Sequence, residues 1–258
     1  QTFNESILKV LQRRHTARQA IEAFQNCRAA GFQNISIDLM YGLPGETLST
    51  WQQDLDQALL LHPEHLSAYH LIYEEDTVLW KLREQHKVEE ADEDLSVSLF
   101  STLIDRLTSE GYDHYEISNF SLPGLYSRHN SSYWTEKKYL GCGPSAHSYN
   151  GVSRQWNVAS LDTYIKGISA GTPVFEIEEL DLYTRYNDFV ITRIRTEWGM
   201  PLSKLRDEFG EKLYDYCLRM AAPHLKQGTL ELVNDILKLT RKGIFISDGI
   251  MSDMLWVE

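Results

Sequence analysis

Apolar residues recur along the chain with two different periods, and the changes of period mark its elements. Asn4 is placed to cap a short helix through Leu11. Thr16 and Gln19 have capping-box spacing for a second helix that ends at Gly31, with Ala20, Phe24, Cys27 and Ala30 as its expected buried stripe. The run from Ile35 to Tyr41 is apolar and β-branched, which predicts a strand covered on both faces. Asp38 is its one charge, and Gly42, Pro44 and Gly45 close it. Leu48, Trp51, Leu55 and Leu59 return to helical spacing, and Pro63 breaks that helix before a second strand-like run, Leu66 to Tyr73. Helix, strand, helix, strand in this order predicts an α/β fold whose strands are parallel and joined by right-handed crossovers. An acid-rich stretch from Glu89 to Asp94 then leads into a helix marked by Leu95, Leu99, Leu103 and Leu107 and stopped by Gly111.

From Tyr112 to Trp156 the pattern is irregular, with strand-like pieces at His114 to Phe120 and Ala146 to Tyr149 between Gly-, Tyr- and Ser-rich loops. Such loops are expected to pack over a site. Helical periodicity resumes at Leu182, with Tyr186, Phe189, Val190 and Ile194 on one face. A helix opened by Pro201 follows, carrying Leu213, Cys217 and Ala221. Leu230 to Val233 and Ile236 to Leu239 flank an Asn234-Asp235 turn before a last helix, together a winged-helix-like module. The expected divisions are residues 1–111, 112–180 and 181–258.

Charge narrows the partners. With 37 acidic against 25 basic residues the formal net charge is -12, so no general attraction to nucleic acid or anionic lipid is expected. From Tyr183 onward acids and bases balance, which denies the terminal module the cationic excess that DNA backbone contacts need. No apolar run approaches the roughly 18 residues of a membrane span. Three widely spaced cysteines, Cys27, Cys142 and Cys217, fit a reducing compartment, and a cytoplasmic location is expected. The first residue is Gln1 and not Met, and helical pattern begins almost at once, so further sequence upstream is expected.

Several motifs occur in order: Gln1-Thr2-Phe3-Asn4; Arg13-Arg14-His15-Thr16; Ile37-Asp38-Leu39-Met40-Tyr41-Gly42-Leu43-Pro44-Gly45; His114-Tyr115-Glu116-Ile117-Ser118-Asn119-Phe120; and Ser127-Arg128-His129-Asn130. Together they resemble the radical S-adenosylmethionine proteins of the oxygen-independent coproporphyrinogen III oxidase-like family, over nearly the whole chain. His129-Asn130-x-x-Tyr133-Trp134 resembles the haem chaperone branch of that family. The resemblance implies the carboxyl-terminal part of a (β/α)6 partial barrel, then a loop-rich α+β extension and a helical, winged-helix-like terminal domain. It also implies S-adenosylmethionine and a 4Fe-4S cluster in the intact protein, the cluster held on a Cys-x3-Cys-x2-Cys loop. That loop does not occur in this sequence, so no cluster ligand and no catalytic residue is assigned and radical chemistry is not expected of this chain alone.

By the same resemblance Gln1, Arg13, Asp38, Tyr69 and Leu71 match positions around S-adenosylmethionine. On residue chemistry alone, Asp38 suits either ribose hydroxyls or a neighbouring backbone amide, and Arg13 either a carboxylate or solvent. Gly42-Leu43-Pro44-Gly45 lacks the Lys-Ser/Thr of a phosphate loop and reads as a strand-to-helix turn. His129, Asn130, Tyr133 and Trp134, with Tyr139, form the second candidate cluster. On a helix, His129 and Tyr133 share a face, as do Asn130 and Trp134. Such a cluster serves either as an aromatic mini-core or as a haem or porphyrin contact, with His129 as iron ligand and Arg128 and Arg154 for the propionates. His147 and Cys142 are the lesser ligand candidates. The leading expectation is a haem chaperone that passes haem to receiving proteins. Oxidative decarboxylation of coproporphyrinogen III to protoporphyrinogen IX, haem delivery without turnover, and a winged-helix regulator are the alternatives. A partial barrel also exposes a strand edge, so self-association is expected.

Overall fold

In the computed structural model, which describes residues 1–257, Asn4 caps α1 (Glu5–Val10) by accepting from the amides of Ser6 and Ile7. Thr16 and Gln19 close the expected capping box on α2 (Ala17–Ala29). The stripe on α2 is shorter than its period suggests, because Phe24 is buried while Cys27 and Ala30 are exposed. Arg28 pins the end of this helix, reaching the Glu64 carboxylate at 2.9 Å and the His62 carbonyl. Next come β1 (Ser36–Tyr41), α3 (Leu48–Leu60) and β2 (His65–His70), and β1 and β2 pair in parallel as expected. A short α4 (Val78–Glu84), unforeseen in the sequence, precedes α5 (Glu93–Ser109).

The chain divides into two units, Gln1–Ser127 and Arg128–Glu258. In the first, β3 (Asp113–Glu116) and β4 (Asn119–Ser121) form an antiparallel hairpin where one strand-like piece was expected. Through β4 it joins β2, giving the order β1-β2-β4-β3. The sheet is therefore mixed and not wholly parallel. Alternation along β1 and β2 sends Leu39, Tyr41, Leu66 and Ala68 to one face, against Trp51, Leu55, Leu99 and Leu103 of α3 and α5. Trp51 donates its indole N–H to the Leu99 carbonyl, so burying that ring leaves no polar atom unpaired. The opposite face carries Ser36, Asp38, Met40, His65, Ser67 and Tyr69. The expectation that β1 is covered on both sides is thus corrected: its helices cover one, and the polar alternation leaves Ser36 and Asp38 exposed on the other.

The second unit holds α6 (Arg128–Trp134) and an antiparallel sheet in which β5 (His147–Tyr149), within the strand-like piece expected at Ala146 to Tyr149, pairs with the unforeseen β6 (Ser153–Asn157), and β6 with β7 (Phe175–Glu179), with α7 (Leu161–Ser169) between the last two strands. Then follow α8 (Leu182–Ile194), β8 (Met200–Pro201) and α9 (Leu202–Gln227), a helix interrupted at Gly210, whose φ of 79° departs from the helical path. β9 (Leu230–Val233) and β10 (Ile236–Leu239) form the expected hairpin, and β8 pairs with β10 on its other side. The expected last helix is two, α10 (Arg241–Ile244) and α11 (Ser247–Met254). Tyr186, Phe189, Val190 and Ile194 of α8 are buried with Leu205, Leu213, Cys217 and Ala221 of α9. Among the described residues no helix is long and apolar enough to cross a membrane.

Candidate functional site

The face of the first unit's sheet opposite its helices is built as polar rungs, buried at His65, Ser67, Glu116 and Asn119 of β2, β3 and β4 and exposed at Ser36 and Asp38 of β1. Register places Asp38 beside Ser67, Ser67 beside Asn119 and Asn119 beside Glu116. Ser67 donates to Asn119 at 3.1 Å, and Asn119 in turn donates to the Glu116 carboxylate. One rung away, His65 bridges Ser36 and the Tyr115 hydroxyl at 2.7 Å each; burial pushes its pKa down to about 4 against the pull of Asp38. The residues expected around S-adenosylmethionine fall largely at the β1 end of this face. Gln1 lies along β1, its carbonyl accepting from the Met40 amide at 2.7 Å, and Tyr69 is the register partner of Met40. Asp38, Arg13 and Tyr69 are exposed. Leu71 differs, since its side chain is buried with Ile7, Leu43 and Tyr73 and only its backbone reaches the strand, donating to the Tyr41 carbonyl.

In the second unit, α6 places His129 and Tyr133 on one face as the spacing predicts. The Tyr133 hydroxyl stands 3.1 Å from His129 Nε2. The rings continue as a row, with centroid separations of 5.1 Å from His129 to Tyr133, 5.1 Å from Tyr133 to Tyr139 and 6.1 Å from Tyr139 to Tyr149. His129 is the exposed end of that row. Its other end enters a cavity of about 570 Å³, within the range of small-molecule pockets. Tyr133, Trp134, Tyr139, Tyr149, Arg154 and Phe209 contribute to its walls. Burial raises the pKa values of Tyr139 and Tyr149, so both present hydroxyls and not phenolates.

Sheet register explains part of this wall. Tyr139 bridges to Tyr149, Tyr149 pairs with Arg154 and Arg154 with Glu178, which puts all four on one face of the sheet. His147 and Trp156 form the next rung, stacked at 6.0 Å, and His147 is exposed and outside the cavity lining. Cys142 is exposed in the loop before β5, Arg128 is exposed, and Asn130 is half-buried. The remaining wall was missed in the sequence. Arg185, Asp188 and Thr192 lie on the side of α8 opposite its buried stripe, and Lys204 and Glu208 on the first turns of α9. Glu136 receives both Arg193 and Lys204 at 2.7 Å. Burial opposes its ionisation, but these two cations outweigh it and hold the carboxyl below its ordinary pKa. The one signal available was the polar spacing of 185, 188 and 192.

Comparison with known proteins adds the following. Residues 1–58 match the family model of the Radical SAM superfamily, and residues 180–246 that of the HemN C-terminal domain. Heme chaperone HemW of Bacillus subtilis is 28% identical over 99% of this chain and 68% of its own length. Heme chaperone HemW of Lactococcus lactis is 34% identical over 83% of this chain and 57% of its own, and that of Mycobacterium tuberculosis 31% identical over 99% and 64%. The chain thus spans between roughly half and two thirds of these relatives. Coproporphyrinogen III oxidase (HemN) from Escherichia coli superposes on 98% of this chain and 62% of its own with a TM-score of 0.80, at 20% identity, a likeness of fold. With both family models matched in order, and relatives aligned across the region between them, the chain belongs to the HemN/HemW-like family of radical S-adenosylmethionine proteins.

Proposed function

We propose that this chain is the haem-handling part of a haem chaperone that binds haem in the cytoplasm and delivers it to haemoproteins, with His129 as an axial iron ligand. The observation that carries the proposal is the state of His129. Its imidazole is exposed, one ring nitrogen is held by Tyr133, and no hydrogen bond to Nδ1 occurs among the described residues. An axial histidine needs that arrangement: one nitrogen open to iron, and an outer partner on the other to fix the ring. The names of three relatives, Heme chaperone HemW, support the same role. Haemin titrated into the chain should give a saturable shift of the Soret band that is lost in His129→Ala. A shift of equal size and affinity in the variant would overturn the assignment of His129.

In the whole protein we assign Gln1, Arg13, Asp38 and Tyr69 to one wall of an S-adenosylmethionine site, Asp38 toward ribose hydroxyls and Arg13 toward the carboxylate. Leu71 joins that wall through its backbone. Bound to an iron-sulfur cluster, S-adenosylmethionine supplies radical chemistry in this superfamily. The residues of this chain do not fit the cluster itself: among the described residues no group of three or more His, Cys, Asp or Glu could hold a metal ion.

A further inference from the structure

The cavity behind Tyr133 has a one-sided hydrogen-bonding balance. Its acids are matched: Glu136 by Arg193 and Lys204, Glu208 by Lys204 at 3.4 Å, and Asp188 by Arg154 at 3.5 Å. Its donors are not. The amide of Arg185 donates to the Asp181 carbonyl within α8, but its guanidinium makes no ion pair or hydrogen bond among the described residues, although the residue is half-buried and lines the cavity. Trp134 Nε1 is shielded from solvent without an acceptor. So is Arg154 Nε, which stands 3.2 Å from Glu178 without hydrogen-bond alignment. A shielded donor without an acceptor is unfavourable, so a ligand that supplies acceptors here relieves that cost. The same walls carry the rings of Tyr133, Trp134, Tyr139, Tyr149 and Phe209, which suit a flat aromatic body.

We propose that this cavity is the carboxylate end of a tetrapyrrole site, in which Arg185, assisted by Arg154 and Trp134, receives a propionate and so sets specificity for the free acid. The name tetrapyrrole rests on the haem-handling function proposed above, whereas the preference for an aromatic carboxylate rests on the cavity alone. Guanidinium is the group for this task because its planar fork matches a carboxylate and stays charged. α8 presents it there as a consequence of its period. Tyr186, Phe189, Val190 and Ile194 fill the core, so Arg185, Asp188 and Thr192 must face the other way. The cationic remainder is local, since the chain as a whole carries a formal charge of -12.

The test uses the whole chain and iron-free protoporphyrin IX beside its dimethyl ester, followed by porphyrin fluorescence. The wild type should prefer the diacid by about tenfold or more, the discrimination that a charge-assisted hydrogen bond provides. Arg185→Met should bind both forms alike with an unchanged melting temperature, and Arg185→Lys should regain part of the preference. His129→Ala should keep the preference while losing the haemin Soret shift. Equal binding of diacid and ester by the wild type, an undiminished preference in Arg185→Met, or no porphyrin binding at all would each overturn the proposal. An Arg185-dependent preference without any His129-dependent haemin shift would sustain it and remove His129 from iron ligation.

Discussion

The loop after β1 is tied down by one side chain. Glu46 Oε2 accepts from the amides of Gly42 at 2.7 Å and Leu43 at 3.3 Å, which occupies the backbone donors a phosphate would use. The Gly42-Leu43-Pro44-Gly45 segment is therefore the plain turn its composition suggests. Gly42 is required there, because its φ is 72° and a Cβ would come within 2.8 Å of His70 Nε2. Glu46 is buried, and its Oε1 has no partner. Burial pushes its pKa from 4.5 to about 7 against the pull of the two amides, with Asp54 adding to the rise. A carboxyl whose pKa is higher folded than unfolded binds its proton more tightly in the native state. Stability is therefore lost as pH rises from about 4.5 to about 7, by up to roughly 3 kcal/mol, and is level above that. Glu46→Gln keeps an acceptor for both amides and cannot ionise. Urea unfolding midpoints of the two proteins should diverge in favour of the variant across that window; a gap independent of pH would exclude Glu46 as the titrating group. His65 works in the opposite sense, costing stability as pH falls from 6.5 toward about 4, but it is common to both proteins and cancels from the difference.

At the level of elements, the start of α9 depends on a strand turn distant in sequence. Pro201 occupies the N-cap and offers no side-chain acceptor. Asp235 of the β9-β10 turn replaces it, its carbonyl accepting from the Leu202 amide at 2.9 Å and its carboxylate from the Ser203 amide at 2.8 Å. Asp235→Ala should cost about 1–2 kcal/mol by thermal unfolding, the scale of a lost helix cap with some turn strain, and Asp235→Asn much less. Equal losses in the two variants would mean that the turn and not the cap is at stake. The turn itself was legible in advance because Asn234 and Asp235 are the residues that tolerate the positive φ of 51° and 66° found there. Caps and periods were legible for the same local reason. The side of α6 shared by His129 and Tyr133 follows from a spacing of four. Non-local pairing was not legible: nothing in His114 to Phe120 says that it folds back on itself and reaches β2. Periodicity also shows which face of a helix can be buried, not what covers it, so Cys27 and Ala30 of α2 were overcounted. In the same way the period of α8 points to its buried stripe and does not say that Arg185, on the other side, lines a cavity.

For the whole molecule, the three cysteines decide what iron chemistry this chain can support. Cys27 lies on α2 of the first unit, and Cys142 and Cys217 lie in the second. Cys27 and Cys142 are exposed on separate units, whereas Cys217 is buried in the core of its unit, where burial pushes its pKa up to about 11 against the opposing pull of the Tyr186 side chain. Cluster ligation needs several thiolates that ionise readily, and Cys217, held as a thiol in the core of its unit, does not meet that need. Haem binding through His129 makes no such demand. Anaerobic treatment of this chain with iron and sulfide should therefore leave no stoichiometric cluster absorbance, and replacing Cys27, Cys142 and Cys217 by serine should leave the haemin Soret shift unchanged. Cluster absorbance that disappeared in the triple variant would show that the cysteines do ligate iron. Loss of the haemin shift in that variant, with the fold intact, would move the iron ligand from His129 to a thiolate.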